Sequence, residues 1–115
     1  MKRVQRKRIK GYRLPTNTKC VNRGTKWGNP FKVVANGNNW IVKDKQGKVY
    51  SKLCESKDAA AAKAVELYAV FVKEELRKGN LNLDELRTFD NLACFCSLHS
   101  PCHADFLIEL LSTTG

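Results

Sequence analysis

The chain has 115 residues, 43% of them hydrophobic, and a formal net charge of +10; this suits one domain around one modest core and leaves no room for a second. No apolar run reaches the length of a membrane span, and the first residues mix basic and polar side chains where a secretion signal would be apolar. A cytoplasmic, membrane-free protein is expected, and five cysteines, an odd number, argue against a disulfide framework.

The charge is polarised. Residues 1 to 57 carry 16 Lys and Arg against Asp44 and Glu55, while the remainder carries 5 against 9 acids. Lys2, Arg3, Arg6, Lys7, Arg8, Lys10 and Arg13 precede Leu14 with no acid among them. Val4, Ile9 and Tyr12 are too few apolar positions for a helix, and Gly11 interrupts the run. Residues 1–14 therefore read as an extended basic arm in front of a single domain over 15–115. Such a block attracts nucleic-acid phosphate through counterion release; a solubilising tail or a patch for an acidic protein are the alternatives. Phosphate contacts carry little sequence information, so deleting residues 2–10 is expected to weaken binding to unrelated sequences equally. Few apolar side chains leave with the arm, so the fold is expected to survive.

Beyond a turn at Pro15-Thr16-Asn17, Lys19 to Asn22 predicts a short strand with Cys20 or Val21 inward. Two glycines and a proline then shape the loop Arg23-Gly24-Thr25-Lys26-Trp27-Gly28-Asn29-Pro30-Phe31. Phe31–Ala35, Trp40–Lys43 and Val49–Leu53, separated by Asn36-Gly37 and Gln46-Gly47, read as a meander of up to three strands. From Asp58 the period changes: Ala61, Val65, Tyr68, Val72 and Leu76 recur at helical spacing, with Ser56 or Asp58 to cap the start and Gly79 the end. Within this helix the alanine run reads as filler. Leu81 to Leu86 adds a short helix, Asn91 to Cys96 a buried strand, and His103 to Leu111 an amphipathic helix.

Two segments carry chemistry. Along a strand Cys94 and Cys96 share one face, and Cys102-His103 stand where the last helix begins, among unpaired N–H groups and the positive end of its dipole. Three readings compete. Cys102 and His103 form a catalytic or ligand site, with Cys102 as nucleophile and His103 or His99 as base; or Cys94, Cys96, Cys102 and His103 bind zinc, although one residue between the first pair is closer than common zinc knuckles allow; or the cysteines are small core hydrophobes. In the Arg23–Phe31 loop, Arg23, Lys26, Asn29 and the loop amides suit a phosphate while Trp27 suits a base. The alternative puts Trp27 and Phe31 in the core.

Arg-Gly-Thr-Lys-Trp-Gly-Asn-Pro-Phe at 23–31, Leu-Ala-Cys-Phe-Cys at 92–96 and Pro-Cys-His-Ala-Asp at 101–105 together resemble the domain-of-unknown-function family 4326 of bacterial and phage genomes. Gln5 to Tyr12 resembles the start of its phage-type members. The resemblance implies a small Rossmann-like α/β fold and carries over Arg23, Trp27, Gly28, Asn29, Pro30, Phe31, Cys94, Cys96, Cys102, His103 and Asp105 as motif residues. Three departures stand out: Phe95 replaces the usual tryptophan, Leu86-Arg87-Thr88-Phe89 lacks a glycine after its arginine, and Lys57 or Lys63 replaces an arginine on the long helix. The expectation is an α/β domain whose Arg23–Phe31 loop and Cys102-His103 helix start share one cleft. That cleft would serve a nucleic-acid or nucleotide-binding protein, a nucleotide- or nucleobase-acting enzyme, or a small zinc-binding adaptor of a host protein.

Overall fold

The computed structural model describes residues 1–50, 53–96, 98 and 100–113. The elements, in chain order, are β1 (Lys2–Gln5), β2 (Thr18–Cys20), β3 (Lys32–Asn36), β4 (Asn39–Lys43), α1 (Lys57–Lys78), α2 (Asp84–Arg87), β5 (Asn91–Cys94) and α3 (His103–Thr113). The fold is mixed α/β. Strand β5 is the centre of a parallel three-stranded sheet ordered β1-β5-β2, and β3-β4 form a separate antiparallel pair. Among the described residues no helix is long and apolar enough to cross a membrane.

The first strand overturns the expectation of a free arm. Lys2 to Gln5 pair in register with Asn91 to Cys94, and the Arg6 N–H continues the ladder to the Cys94 carbonyl at 2.7 Å. A central parallel strand needs partners on both sides because its backbone groups have no water to turn to. Leu92, Ala93 and Cys94 are accordingly all but fully buried. The chain after β1 folds back, with the Tyr12 hydroxyl donating to the Gln5 carbonyl at 2.8 Å. Residues 1–14 thus belong to the domain, although Met1, Lys2, Lys7 to Gly11 and Arg13 are exposed.

Helix α1 starts and stops where its sequence says. The Ser56 hydroxyl accepts the Ala59 N–H at 3.0 Å, and Gly79 closes the helix at φ 82°, a conformation side chains other than hydrogen resist. Its buried face is Ala60, Ala64, Tyr68 and Val72, every fourth residue. The face has two jobs. Ala60 and Ala64 pack with Val42 against the β3-β4 pair, while Tyr68 and Val72 enter the larger core of Val21, Trp27, Leu86, Leu92 and Leu107. The alanines are therefore the small residues that let a sheet approach the helix backbone, a more specific role than filler. Ala61 and Val65, expected in the core, are half-buried and wall a pocket.

The third strand of the expected meander is reduced to isolated bridges, Lys43 with Val49 and Trp40 with Cys54; residues 51 and 52 of that stretch lie outside the described ones. The turn leading into it is tied by Asp44, whose carboxylate accepts the N–H groups of Gln46 and Lys48, each at 2.9 Å. Strand β5 ends at Cys94, two residues short of the expected end, which puts Phe95 and Cys96 in the loop that leads to α3.

Candidate functional site

In a parallel sheet all strands deliver their following loops to the same edge, and here those loops begin with Arg6 after β1, the Arg23 loop after β2 and Phe95-Cys96 after β5. A pocket of about 500 Å³ opens there, lined by Arg23, Asn29, Lys32, Lys57, Phe95, Cys96, Cys102 and His103 among others. A wider hollow of about 730 Å³ lies at the opposite edge, around Lys2, Pro15, Asp90 and Asn91, away from the cysteines.

The Arg23–Phe31 loop is shaped from within. A side chain at Gly28 would meet the Arg23 Cα at 2.8 Å and the Asn22 oxygen at 2.9 Å, so the loop closes only over glycine. The Arg23 guanidinium donates to the Asn29 carbonyl. Asn29 is buried, its amide donating to the Ala64 carbonyl at 3.2 Å and its oxygen accepting the Phe31 N–H at 2.9 Å. It fixes the loop to α1 and leaves Arg23 to face the pocket.

Trp27 and Lys26 depart from their expected roles. Trp27 is 1% exposed and sits in the main core, so it has no face to offer a base; the Tyr68 hydroxyl donates to its carbonyl at 2.6 Å. Lys26 pairs with Glu85 on the surface at 2.6 Å and does not line the pocket. Asp105 likewise does not line the pocket and pairs with Arg3 at 3.4 Å. His99 lies outside the described residues. Lys57, at the first turn of α1, lines the pocket with its ammonium over the Trp40 ring, and Lys63 pairs with Glu66 at 3.5 Å.

Behind the pocket the sulfurs of Cys94, Cys96 and Cys102 lie within 4.8 Å of one another. Cys94 and Cys102 are buried and their sulfurs are 2.9 Å apart. Cys102 immediately precedes α3, and its carbonyl accepts the Asp105 N–H at 3.1 Å. His103 Nε2 is 2.5 Å from the Val21 carbonyl. A carbonyl only accepts, so Nε2 donates to it, and Nδ1 lies 3.8 Å from Cys102 Sγ. This arrangement can take a proton from Cys102, and it can also hold the imidazole beside a metal. His103 itself stands outside the three-sulfur group.

Two guanidiniums face the thiols. Arg3, whose side chain is 8% exposed, donates to the carbonyls of Ser100 at 3.0 Å and Leu98 at 2.7 Å and reaches the Cys102 thiol. Its sequence neighbours gave no sign of this, since Arg3 reads there as one cation of seven. Hydrogen bonds from the Cys102 and Cys94 thiols, reinforced by Arg3 and Arg23, pull Cys96 down to about 3. The Cys94 hydrogen bond lowers Cys102, and the donor role of Cys94 toward Cys102 and Cys96, together with burial, pushes Cys94 up. Cys96 is therefore a thiolate at every pH above its own value. Its alkylation by iodoacetamide, followed residue by residue by mass spectrometry, should be nearly constant from pH 5 to 8, where an ordinary thiol of pKa about 8.5 loses close to tenfold per unit. A tenfold-per-unit slope at Cys96 would contradict the cluster.

Phe95 and Lys32 were not among the expected site residues. Both line the pocket, and the guanidiniums of Arg6 and Arg8 lie 4.8 and 4.2 Å from the Phe95 ring centre. Arg6 also donates to the Asn22 side chain at 3.1 Å. The basic residues after β1 are thereby drawn to the pocket rim. Lys7, Lys10 and Arg13 remain exposed.

A family model described as a domain of unknown function, DUF4326, matches residues 4–113. No curated protein and no solved structure matches the chain.

Proposed function

We propose that this chain, which belongs to the domain-of-unknown-function family DUF4326, binds a phosphate-bearing ligand, a nucleotide or a nucleic-acid strand, at the carboxyl edge of its parallel sheet. One observation carries the reading: Arg23, Lys32 and Lys57, cations from three separate elements, line a single pocket with the start of α3. Helix N–H groups and convergent cations are complementary to a phosphate dianion. Arg6 and Arg8, over the Phe95 ring at the same pocket, and Lys7, Lys10 and Arg13 extend positive charge outward for a longer polyanion.

Calorimetric titration with a nucleoside monophosphate, its nucleoside and a short oligonucleotide tests this. The phosphate-bearing ligands should bind and the nucleoside should not. Arg23→Ala removes a charge-assisted contact of about 1.5–3 kcal/mol, so affinity should fall roughly 10- to 100-fold, and the slope of log affinity against log salt should drop by close to one unit. Equal binding of nucleotide and nucleoside, or an indifferent Arg23→Ala, would refute the proposal.

A second reading rests on the sulfurs. Three cysteine sulfurs within 4.8 Å of one another could hold a metal ion, and thiolate sulfur is a common ligand of zinc. Cys94, Cys96 and Cys102 would hold it, with Arg3 and Arg23 offsetting the surplus thiolate charge. Zinc there would lock the loop after β5 to the start of α3. Native mass spectrometry distinguishes the cases, since stoichiometric zinc lost in Cys94→Ser supports this reading and a bare chain removes it.

A further inference from the structure

Cys94 takes no part in the phosphate pocket, yet it is the thiol most intimately placed. It is 1% exposed and does not line the pocket, while its neighbour Cys102 is 2% exposed overall and does. Their sulfurs are 2.9 Å apart, nearer than the roughly 3.5–4.0 Å at which even carbon atoms rest. Less than 1 Å of further approach reaches the disulfide length of about 2.05 Å. One sulfur can thus be reached by a solute in the pocket, and the other waits behind it. Cys20 and Cys54 stand outside this cluster.

We propose that Cys94 and Cys102 are a thiol–disulfide redox centre entered through the pocket, with a low-molecular-weight disulfide of the glutathione class as oxidant. The carboxylates of glutathione are anions that Arg23, Lys32 and Lys57 would receive in the open pocket, where a phosphate ligand would compete with them. Cys102 loses its proton to solvent and its sulfur attacks one sulfur of the glutathione disulfide; that S–S bond breaks and one glutathione leaves as thiolate. Cys94 then loses its proton to solvent, and its sulfur attacks Cys102 Sγ. The mixed disulfide breaks, the second glutathione leaves, and the Cys94–Cys102 bond forms. Two electrons pass from the cysteines to the oxidant, and the two protons they release end on two reduced glutathiones.

The full chain as purified is equilibrated in glutathione buffers from reducing to oxidising, acid-quenched, alkylated with N-ethylmaleimide and digested with trypsin, with metal content measured on the same sample. Cleavage after Arg87 leaves Cys94, Cys96 and Cys102 on one peptide. In reducing buffers that peptide should carry three labels. In oxidising buffers it should carry one, with fragmentation placing the bond between Cys94 and Cys102, and reduced glutathione should restore all three. Cys94→Ser should stop at the mixed disulfide on Cys102, visible as an added glutathione mass, though the wild-type mapping decides even if that variant does not fold. Three labels in every buffer would overturn the proposal. So would a bond placed at Cys96, or a stoichiometric metal that keeps all three thiols reduced.

Discussion

Deleting residues 2–10 should abolish cooperative folding. The deletion removes β1, so one whole edge of β5 loses its ladder from Asn91 to Cys94. Leu92, Ala93 and Cys94, buried beneath that edge, would meet water. It also removes Arg3, the guanidinium that ties β1 to the Ser100 and Leu98 carbonyls and to Asp105. Each buried backbone group left without a partner costs about 1–3 kcal/mol, and several such losses approach the roughly 5–15 kcal/mol by which a domain is stable at all. Circular dichroism of the truncated chain should show no sigmoidal thermal transition, and its amide spectrum should lose dispersion. Replacing Lys7, Arg8 and Lys10 by Ser separates charge from structure. These exposed side chains should leave the melting curve close to the original while flattening the salt dependence of polyanion binding. A truncated chain that melts like the full one would show that β1 is dispensable to the sheet.

Trp27→Ala should cost about 3–5 kcal/mol, in the range for a large aromatic side chain removed from a core. Trp27 is among the largest fully buried side chains, and it joins β2's continuation to α1 through the Tyr68 hydroxyl bond. The indole Nε1 is buried without a hydrogen-bond partner. Trp27→Phe removes that unmet donor along with some volume, so it should cost clearly less than Trp27→Ala. Denaturant melts of the three proteins check the order. The phosphate affinity of whatever remains folded should be unchanged, because the ring is absent from the pocket. An alanine variant with normal stability but lost affinity would return Trp27 to a stacking role.

The contrast between these two predictions shows where the sequence could be read. Helix α1 announces itself through Ser56, Gly79 and a four-residue period, all local signals that a stretch of chain carries alone. The strand around Leu92 and the helix beginning at His103 are legible for the same reason, and the cleft follows from knowing that loops after parallel strands gather at one edge. Strand β1 is different. Its partner lies some 90 positions away, and its own residues, Lys-Arg-Val-Gln, have neither the apolar alternation nor the turn signals of a strand. Charge composition therefore dominated, and Arg3 read as a phosphate contact when its surroundings are carbonyls, a carboxylate and thiols. Trp27 was undecidable by type, since tryptophan suits both a core and a base, and only its packing against Tyr68, Leu92 and Leu107 settles which. Lys32 and Lys57 were obscured differently: each sits at the first position of its element, and the convergence of those two starts is a property of the tertiary fold.

The position of β5 in the sheet also has a consequence for biosynthesis. Both of its neighbours, β1 and β2, leave the ribosome first, yet neither has a partner until residues 91–94 have cleared the exit tunnel. During most of translation the only sheet that can close is the local β3-β4 pair, with α1 to cover it. The thiol cluster is assembled later still, because Cys102 arrives after Cys94 and Arg3 waits for both. Such non-local pairing raises the loop-closure cost and slows folding, so the nascent chain spends its synthesis with two unpaired strand segments rich in positive charge. Like charges on Lys2, Arg3 and Lys19 keep those edges apart from one another until the central strand arrives to separate them.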